Sequence, residues 1–278
     1  LAGPRKGAKR GGPPTVLRPE GAAQVALVGP PNSGKSALHA QLTGSHAQSG
    51  PYPFTTQYPQ PGMFPYEDIS FQLVDLPPVS PEHPVPWIGN ALQPADACWL
   101  AVDLSEPSCV EQVLAIHRIL AERRVELTEG WPSTHQPSGE DEDPFSTRLP
   151  TVLIATKADT IPALSEEVRV FEELSGLRYP AIVTSVTTGQ GLDRLGPWMF
   201  EHLGIVRVYS KVPGRPADMD RPFTVRRGQT VLEVARLVHK EIAESFKFAR
   251  VWGGADFDGQ QVGAEHPVSD GAILELHT

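Results

Sequence analysis

Gly29-Pro30-Pro31-Asn32-Ser33-Gly34-Lys35-Ser36 fits the spacing G-x-x-x-x-G-K-[ST]. The chemistry of that spacing is phosphate binding. Glycines let main-chain N–H groups crowd around phosphate oxygens, and a following helix adds the positive end of its dipole. On this reading Asn32, Ser33, Gly34, Lys35, Ser36 and Ala37 line a phosphate cradle. Lys35 reaches the β- and γ-phosphates, and the Ser36 hydroxyl ligates Mg²⁺. A plain Gly-rich strand–helix turn with an exposed lysine is the structural alternative.

Four further segments follow in order. Phe54-Thr55-Thr56 stands in a Pro-rich loop, where Thr56, with Thr55 as the alternative, would close on Mg²⁺. Asp75 ends an apolar run and would hold Mg²⁺ through water. Thr156-Lys157-Ala158-Asp159 ends another; its carboxylate can accept two hydrogen bonds from a guanine edge while the Lys157 stem covers the base. Ser185-Val186-Thr187 follows a last apolar run, where a backbone N–H would meet the guanine carbonyl. A T-K-x-D alone is weak; the ordered set is strong.

These residues need a rigid frame. Gln24–Val28, Phe71–Val74, Ala97–Val102, Thr151–Ala155 and Ala181–Thr184 read as continuous apolar strands. Helical patterns lie over 36–42, 107–122, 165–174 and 192–202. Strands apolar on both faces and separated by helices imply a mainly parallel sheet covered on both sides. Ligands then bind beyond the carboxyl ends of the strands, where every motif above stands. Residues 129–149 are polar, acidic and proline-containing and read as an exposed loop. After Gly204 the texture changes: short strands at 205–209, 222–225, 248–252, 260–262 and 272–276 surround one helical stripe, Val231 to Ile242, capped near Thr230. That is a compact α+β module.

Composition narrows the classes. The chain has 278 residues, 40% of them apolar, and carries a net charge of −9. No run approaches the ~18 apolar residues of a membrane span, and no signal-peptide pattern opens the sequence. Two cysteines, Cys98 and Cys109, suit buried thiols in a reducing cytoplasm. No His/Cys cluster has metal-ligand spacing. Arg5, Lys6, Lys9, Arg10 and Arg18 make residues 1–20 a basic, Gly/Pro-rich tail, a disordered segment and a candidate RNA contact. The expected division is thus tail 1–20, nucleotide domain 21–204 and small domain 205–278.

GPPNSGKS, PFTT, the DLPP segment at Asp75, TKAD and the SVT segment together resemble the Obg-type GTPases, most closely the developmentally regulated GTP-binding proteins. RPFTVRRGQTVLEVARLVHKEIAESFKFARVWG resembles the TGS domain of that family, a ubiquitin-like β-grasp module. The resemblance implies a P-loop GTPase fold with a C-terminal TGS domain. It also implies GTP/GDP and Mg²⁺ as ligands, Lys35 and Thr56 as catalytic groups, and Ser36, Thr56 and Asp75 around the metal. Asn32 matches an asparagine that some related GTPases use to hold K⁺; loop shaping is its other reading. TGS modules recur in RNA-associated proteins, so the family suggests a ribosome or RNA partner.

Two departures bear on activity. The family usually has Asn at Thr156, so guanine preference is weakened though not lost. It has D-x-x-G where this chain has Asp75-Leu76-Pro77-Pro78; Pro78 has no N–H to give the γ-phosphate, and Val79 follows where many GTPases place a water-orienting glutamine. The expected function is GTP binding with slow, or K⁺- or partner-dependent, hydrolysis. The alternatives are a non-switching nucleotide-binding interaction module and an ATP-dependent kinase or ATPase, the latter disfavoured by T-K-A-D.

Overall fold

The computed structural model describes residues 14–45, 58–134 and 145–278. The PFTT segment and most of the basic tail lie outside the described residues.

The larger sheet begins with β1 (Gln24–Val28), leading through the loop into α1 (Lys35–Thr43). Next come β2 (Gln60–Tyr66), β3 (Ile69–Asp75), α2 (Ile88–Leu92) and β4 (Ala97–Asp103). After α3 (Cys109–Ala121) follow β5 (Val125–Thr128), β6 (Thr147–Thr156), α4 (Leu164–Ser175), β7 (Ala181–Val183) and α5 (Leu195–His202). The strand order is β2-β3-β1-β4-β6, with both β5 and β7 pairing β6, and only β2 is antiparallel to its neighbour. Side-chain alternation along β1 shows why it is apolar from Val25 to Val28. Val25 and Leu27 pack with Leu38, Leu195 and Met199 on one face, whereas Ala26 and Val28 pack with Ile88, Val113 and Ile116 on the other. The parallel registers bring the ends of β1, β3, β4 and β6 to one edge, with Leu27 opposite Asp75 and Asp103 opposite Thr156.

Periodicity does not reveal β2, because its sequence QPGMFPY contains two prolines and a glycine. It is an edge strand, where missing N–H donors are tolerated. The 129–149 stretch is not wholly an exposed loop. Trp131 is 4% exposed and donates its indole N–H to the Thr151 carbonyl at 3.2 Å, and β6 already begins at Thr147.

The second sheet comprises β8 (Ile205–Lys211), β9 (Ala217–Arg226), β10 (Phe248–Trp252), β11 (Gln260–Val262) and β12 (Ala272–His277), ordered β11-β10-β12-β8-β9. Here α6 (Val231–Val238) sets Val231 and Val234 against Val206, Val208, Val251 and Leu274. Its start is secured by Glu233, whose carboxylate accepts the Thr230 N–H at 2.7 Å. The helical stripe is broken at His239, which is extended, before the short α7 (Lys240–Glu244).

The two sheets are fastened at the β2–β3 turn. The Arg207 guanidinium pairs with Glu67, with Asp68 at 3.1 Å and with Asp270 at 2.8 Å, and the Tyr209 hydroxyl donates to Asp68. Arg226 adds bonds to the Ala22 carbonyl at 3.0 Å and to Asp96 at 3.2 Å.

Candidate functional site

The loop between β1 and α1 is built for close backbone approach. A Cβ on Gly29 would lie 2.4 Å from the Ala101 carbonyl oxygen and 2.9 Å from Ser33 Oγ. Gly34 has φ 83°, a left-handed conformation that a side chain resists, and Asn32 shares that region at φ 61°. Among the described residues, the amides of Ser33, Gly34, Lys35, Ser36 and Ala37 find no acceptor; the first bond of the helix runs from Leu38 N–H to the Gly34 carbonyl. Five free donors at a helix N-terminus form an anion cradle.

The side chains around it ask for a ligand. Lys35 is 4% exposed and has no ion pair among the described residues. Burial holds its ammonium below the usual lysine range, only partly offset by Asp75. Ser33 Oγ is buried without a partner. Ser36 Oγ donates to Asp75 Oδ2 at 2.6 Å, while Asp75 Oδ1 is buried and unpartnered. An orphaned hydroxyl, an orphaned carboxylate oxygen and an unpaired buried cation are costly unless something completes them. A hydroxyl and a carboxylate oxygen side by side are hard donors of the kind Mg²⁺ takes alongside substrate phosphates. The residues therefore fit the metal as well as the phosphates.

The base-reading candidates lie across the edge. Asp159 is exposed, and the Ser185 hydroxyl donates to its Oδ1 at 2.5 Å. The Ser185 N–H is spent on the Gln190 carbonyl at 3.0 Å, whereas the next amide, Val186, has no acceptor among the described residues. Lys157, itself left-handed at φ 56°, extends Nζ to the Asn32 carbonyl at 2.8 Å and to Asp103 at 2.7 Å. Asp103, which the motif reading passes over, is the anchor of that lysine. Its burial would raise its carboxyl, but bonds from Lys157 and Ser105 hold it below the ordinary range. Its position at the end of an apolar strand was the signal for it. Thr156 faces inward: its hydroxyl donates to the Ser33 carbonyl at 2.7 Å and to the Val102 carbonyl at 3.2 Å. It braces the loop and does not aim its proton at a base. Thr55 and Thr56 lie outside the described residues.

The segment after Asp75 is held down. Leu76 N–H donates to the Leu27 carbonyl at 3.3 Å and Val79 N–H to the Gly29 carbonyl at 3.1 Å; both side chains are buried. Pro77 and Pro78 have no N–H. From Leu76 to Val79, no amide is left to offer a phosphate.

Comparison with known proteins agrees with this geometry. The family described as 50S ribosome-binding GTPase matches residues 24–128, and the TGS domain matches residues 206–278. Developmentally-regulated G-protein 1 of Arabidopsis thaliana is 28% identical over 99% of this chain and 81% of its own length. The chain thus joins a GTPase match to a TGS match, and developmentally regulated G-proteins are among the proteins it is similar to over nearly its whole length. An uncharacterized GTP-binding protein of Methanocaldococcus jannaschii is 27% identical over 94% of this chain and 79% of its own. That alignment spans 316 positions, so this chain faces about 55 of them with gaps. A solved GTP-binding protein from Pyrococcus horikoshii superposes on 92% of the chain and 99% of its own with a TM-score of 0.59 at 16% identity, which supports the shared fold. Among the described residues, no helix is long and apolar enough to cross a membrane.

Proposed function

We propose that this chain binds GTP and GDP with similar affinity, together with Mg²⁺, and hydrolyses GTP slowly unless K⁺ or a partner completes the site. The observation that carries the proposal is the buried Lys35 ammonium between five free amides, with Ser33 Oγ and Asp75 Oδ1 left without partners. Bound triphosphate would satisfy all three.

In hydrolysis, water attacks the γ-phosphorus as the bond to the bridging oxygen breaks, giving GDP and phosphate. Lys35 neutralises charge on the leaving oxygens. Ser36 and Asp75 would hold Mg²⁺, which supplies further charge neutralisation at the phosphates. Asp159, aligned by Ser185, accepts hydrogen bonds from guanine, Val186 N–H meets its carbonyl, and the Lys157 stem covers its face. Asn32 is exposed at the loop tip and is the candidate K⁺ contact. Thr56 is the candidate switch residue. The pinned, donor-poor segment from Leu76 to Val79 favours weak sensing of the γ-phosphate, and so the reading of a nucleotide-bound interaction module.

By family likeness the setting is cytoplasmic and the partner RNA or a ribosome, through the TGS domain and the basic tail; the two buried free thiols accord with a reducing compartment. Calorimetry with GTP, GDP and ATP in Mg²⁺, followed by single-turnover hydrolysis in K⁺ and in Na⁺, tests the proposal. Heat with both guanine nucleotides and little with ATP is expected. Absence of heat with GTP and GDP overturns it.

A further inference from the structure

A cavity of about 570 Å³ opens between the end of α3 and β5. Ala121, Val125 and Leu127 give it apolar walls, His117 contributes a ring, and Arg118 and Arg124 bring two guanidinium groups. Both arginines are exposed, and neither has an ion pair among the described residues. Glu126, the acid on the lining, is already paired with Arg148 at 3.2 Å. The His117 ring stacks on Tyr179 with planes 15° apart, and its Nε2 lies 3.2 Å from the Tyr179 hydroxyl, which donates to the Leu127 carbonyl at 3.1 Å. Burial holds the imidazole below its usual range, so the unspent charge here is that of the two arginines. Arg124 sits at φ 56°, held by its N–H to the Ala121 carbonyl at 2.9 Å and by the Thr147 N–H to its own carbonyl at 2.8 Å. Glycine takes that conformation freely; an arginine there is strained, and its guanidinium reaches the cavity. Ser146 also lines the cavity, and β6 runs from Thr147 beside it to Thr156 at the phosphate loop. Ten extended residues span about 30 Å, so this cavity and the loop are separate sites.

We propose that this cavity is a second ligand site, which binds a phosphate monoester with an apolar body: the phosphate between Arg118 and Arg124, the body against Ala121, Val125, Leu127 and the His117 ring. A volume of this order, mostly apolar with a few convergent polar groups, suits a small organic ligand. Guanidinium groups present planar forks of N–H donors that match phosphate oxygens. Two unpaired ones supply two positive charges, which a monoester dianion balances and a carboxylate only half balances. Arg118, in the last turn of α3, also favours the negative end of the helix dipole. That role leaves its guanidinium free on the cavity side. The site stands apart from the nucleotide loop and does not depend on what the loop binds.

Ligand-observed NMR titration of the full chain with phenyl phosphate, in excess GDP and Mg²⁺, tests this. Binding with saturation transfer to the ring protons is expected, in the wild type and equally in Lys35→Ala. Inorganic phosphate, benzyl alcohol and phenylacetate, which lack the body, the charge or the second charge, should each bind at least about tenfold more weakly. Arg118→Gln and Arg124→Gly should each weaken phenyl phosphate at least about tenfold, the loss of one charge-assisted contact. Arg124→Gly relieves the left-handed strain, so its thermal midpoint should not fall, and its weaker binding cannot be laid to unfolding. Wild-type affinity in both arginine variants overturns the proposal, as does the absence of binding to the wild type. Binding lost in Lys35→Ala but kept in the arginine variants would place the phosphate in the nucleotide loop and overturn it too. Phenylacetate binding as tightly as phenyl phosphate would refute the dianion. Failure of GDP to bind, with phenyl phosphate still held through the arginines, would strike the nucleotide reading and leave this one standing.

Discussion

The Thr156 hydroxyl donates to the Ser33 carbonyl at 2.7 Å, joining residues 123 positions apart and tying the end of β6 to the phosphate loop. An asparagine would be longer; threonine reaches the loop from β6 with a single proton and has none left for a purine. Removing that proton should therefore loosen the cradle without changing which base is chosen. Thr156→Val is expected to lower affinity for GTP and GDP alike, by the ~1–2 kcal/mol of a buried hydrogen bond with an orphaned acceptor. The ratio of guanine to adenine affinity should stay constant in calorimetry. A selective loss of guanine affinity would mean that the hydroxyl touches the base.

Lys35 presents the opposite balance between stability and function. A buried, unpaired ammonium destabilises the nucleotide-free fold, and its pKa is lowered by burial ahead of the raising effect of Asp75. Lys35→Met is expected to raise the thermal midpoint of the free protein while reducing GTP affinity by two orders of magnitude or more. Scanning fluorimetry with and without GTP reads both. Unchanged GTP affinity would remove Lys35 from the phosphate site.

Much of this was legible in the residues. The loop, Asp75, T-K-A-D and the SVT segment each follow a mainly apolar run, and such runs are the clearest local signal of strands buried on both faces. What the pattern could not carry is pairwise and long-range. The β2 strand is hidden by Pro61, Gly62 and Pro65, and is formed because its edge position needs few donors. Trp131 is drawn inside a polar stretch by a carbonyl twenty residues on. The inward turn of Thr156 and the Asp103–Lys157 bond depend on the β4–β6 register, which no single segment encodes.

The fastening of the two sheets should respond to acid. Burial would raise the Asp68 carboxyl, but bonds from Tyr209 and Arg207 hold it below the ordinary aspartate range, and Asp270 behaves alike through Arg207. Tyr209 is pushed up to about 12, first by its bond to Asp68. Carboxyls whose folded-state pKa is depressed stabilise above their unfolded value, ~3.9, and lose that contribution as pH falls through the folded one. The thermal midpoint is thus expected to drop as the pH falls below about 5 and on through the folded-state values. Asp68→Asn should have a lower midpoint at pH 7 and a shallower acid drop. Equal slopes for the two proteins would show that Asp68 does not carry the effect.

Pro78 offers the most direct trial of the γ-phosphate argument. The Val79 N–H bond to the Gly29 carbonyl keeps the backbone of this segment against the loop, so what it lacks is a donor, not proximity. Pro78→Gly restores one N–H beside that anchor. A hydrogen bond to a charged phosphate is worth ~1.5–3 kcal/mol, so the GTP-over-GDP affinity ratio should rise about tenfold or more. The same change loosens the unfolded chain and should cost ~1 kcal/mol of stability. Competition calorimetry and a melting curve separate the two effects. A lower melting temperature with an unchanged ratio would mean that the restored amide does not face the phosphate, and that Pro78 serves only to stiffen the chain.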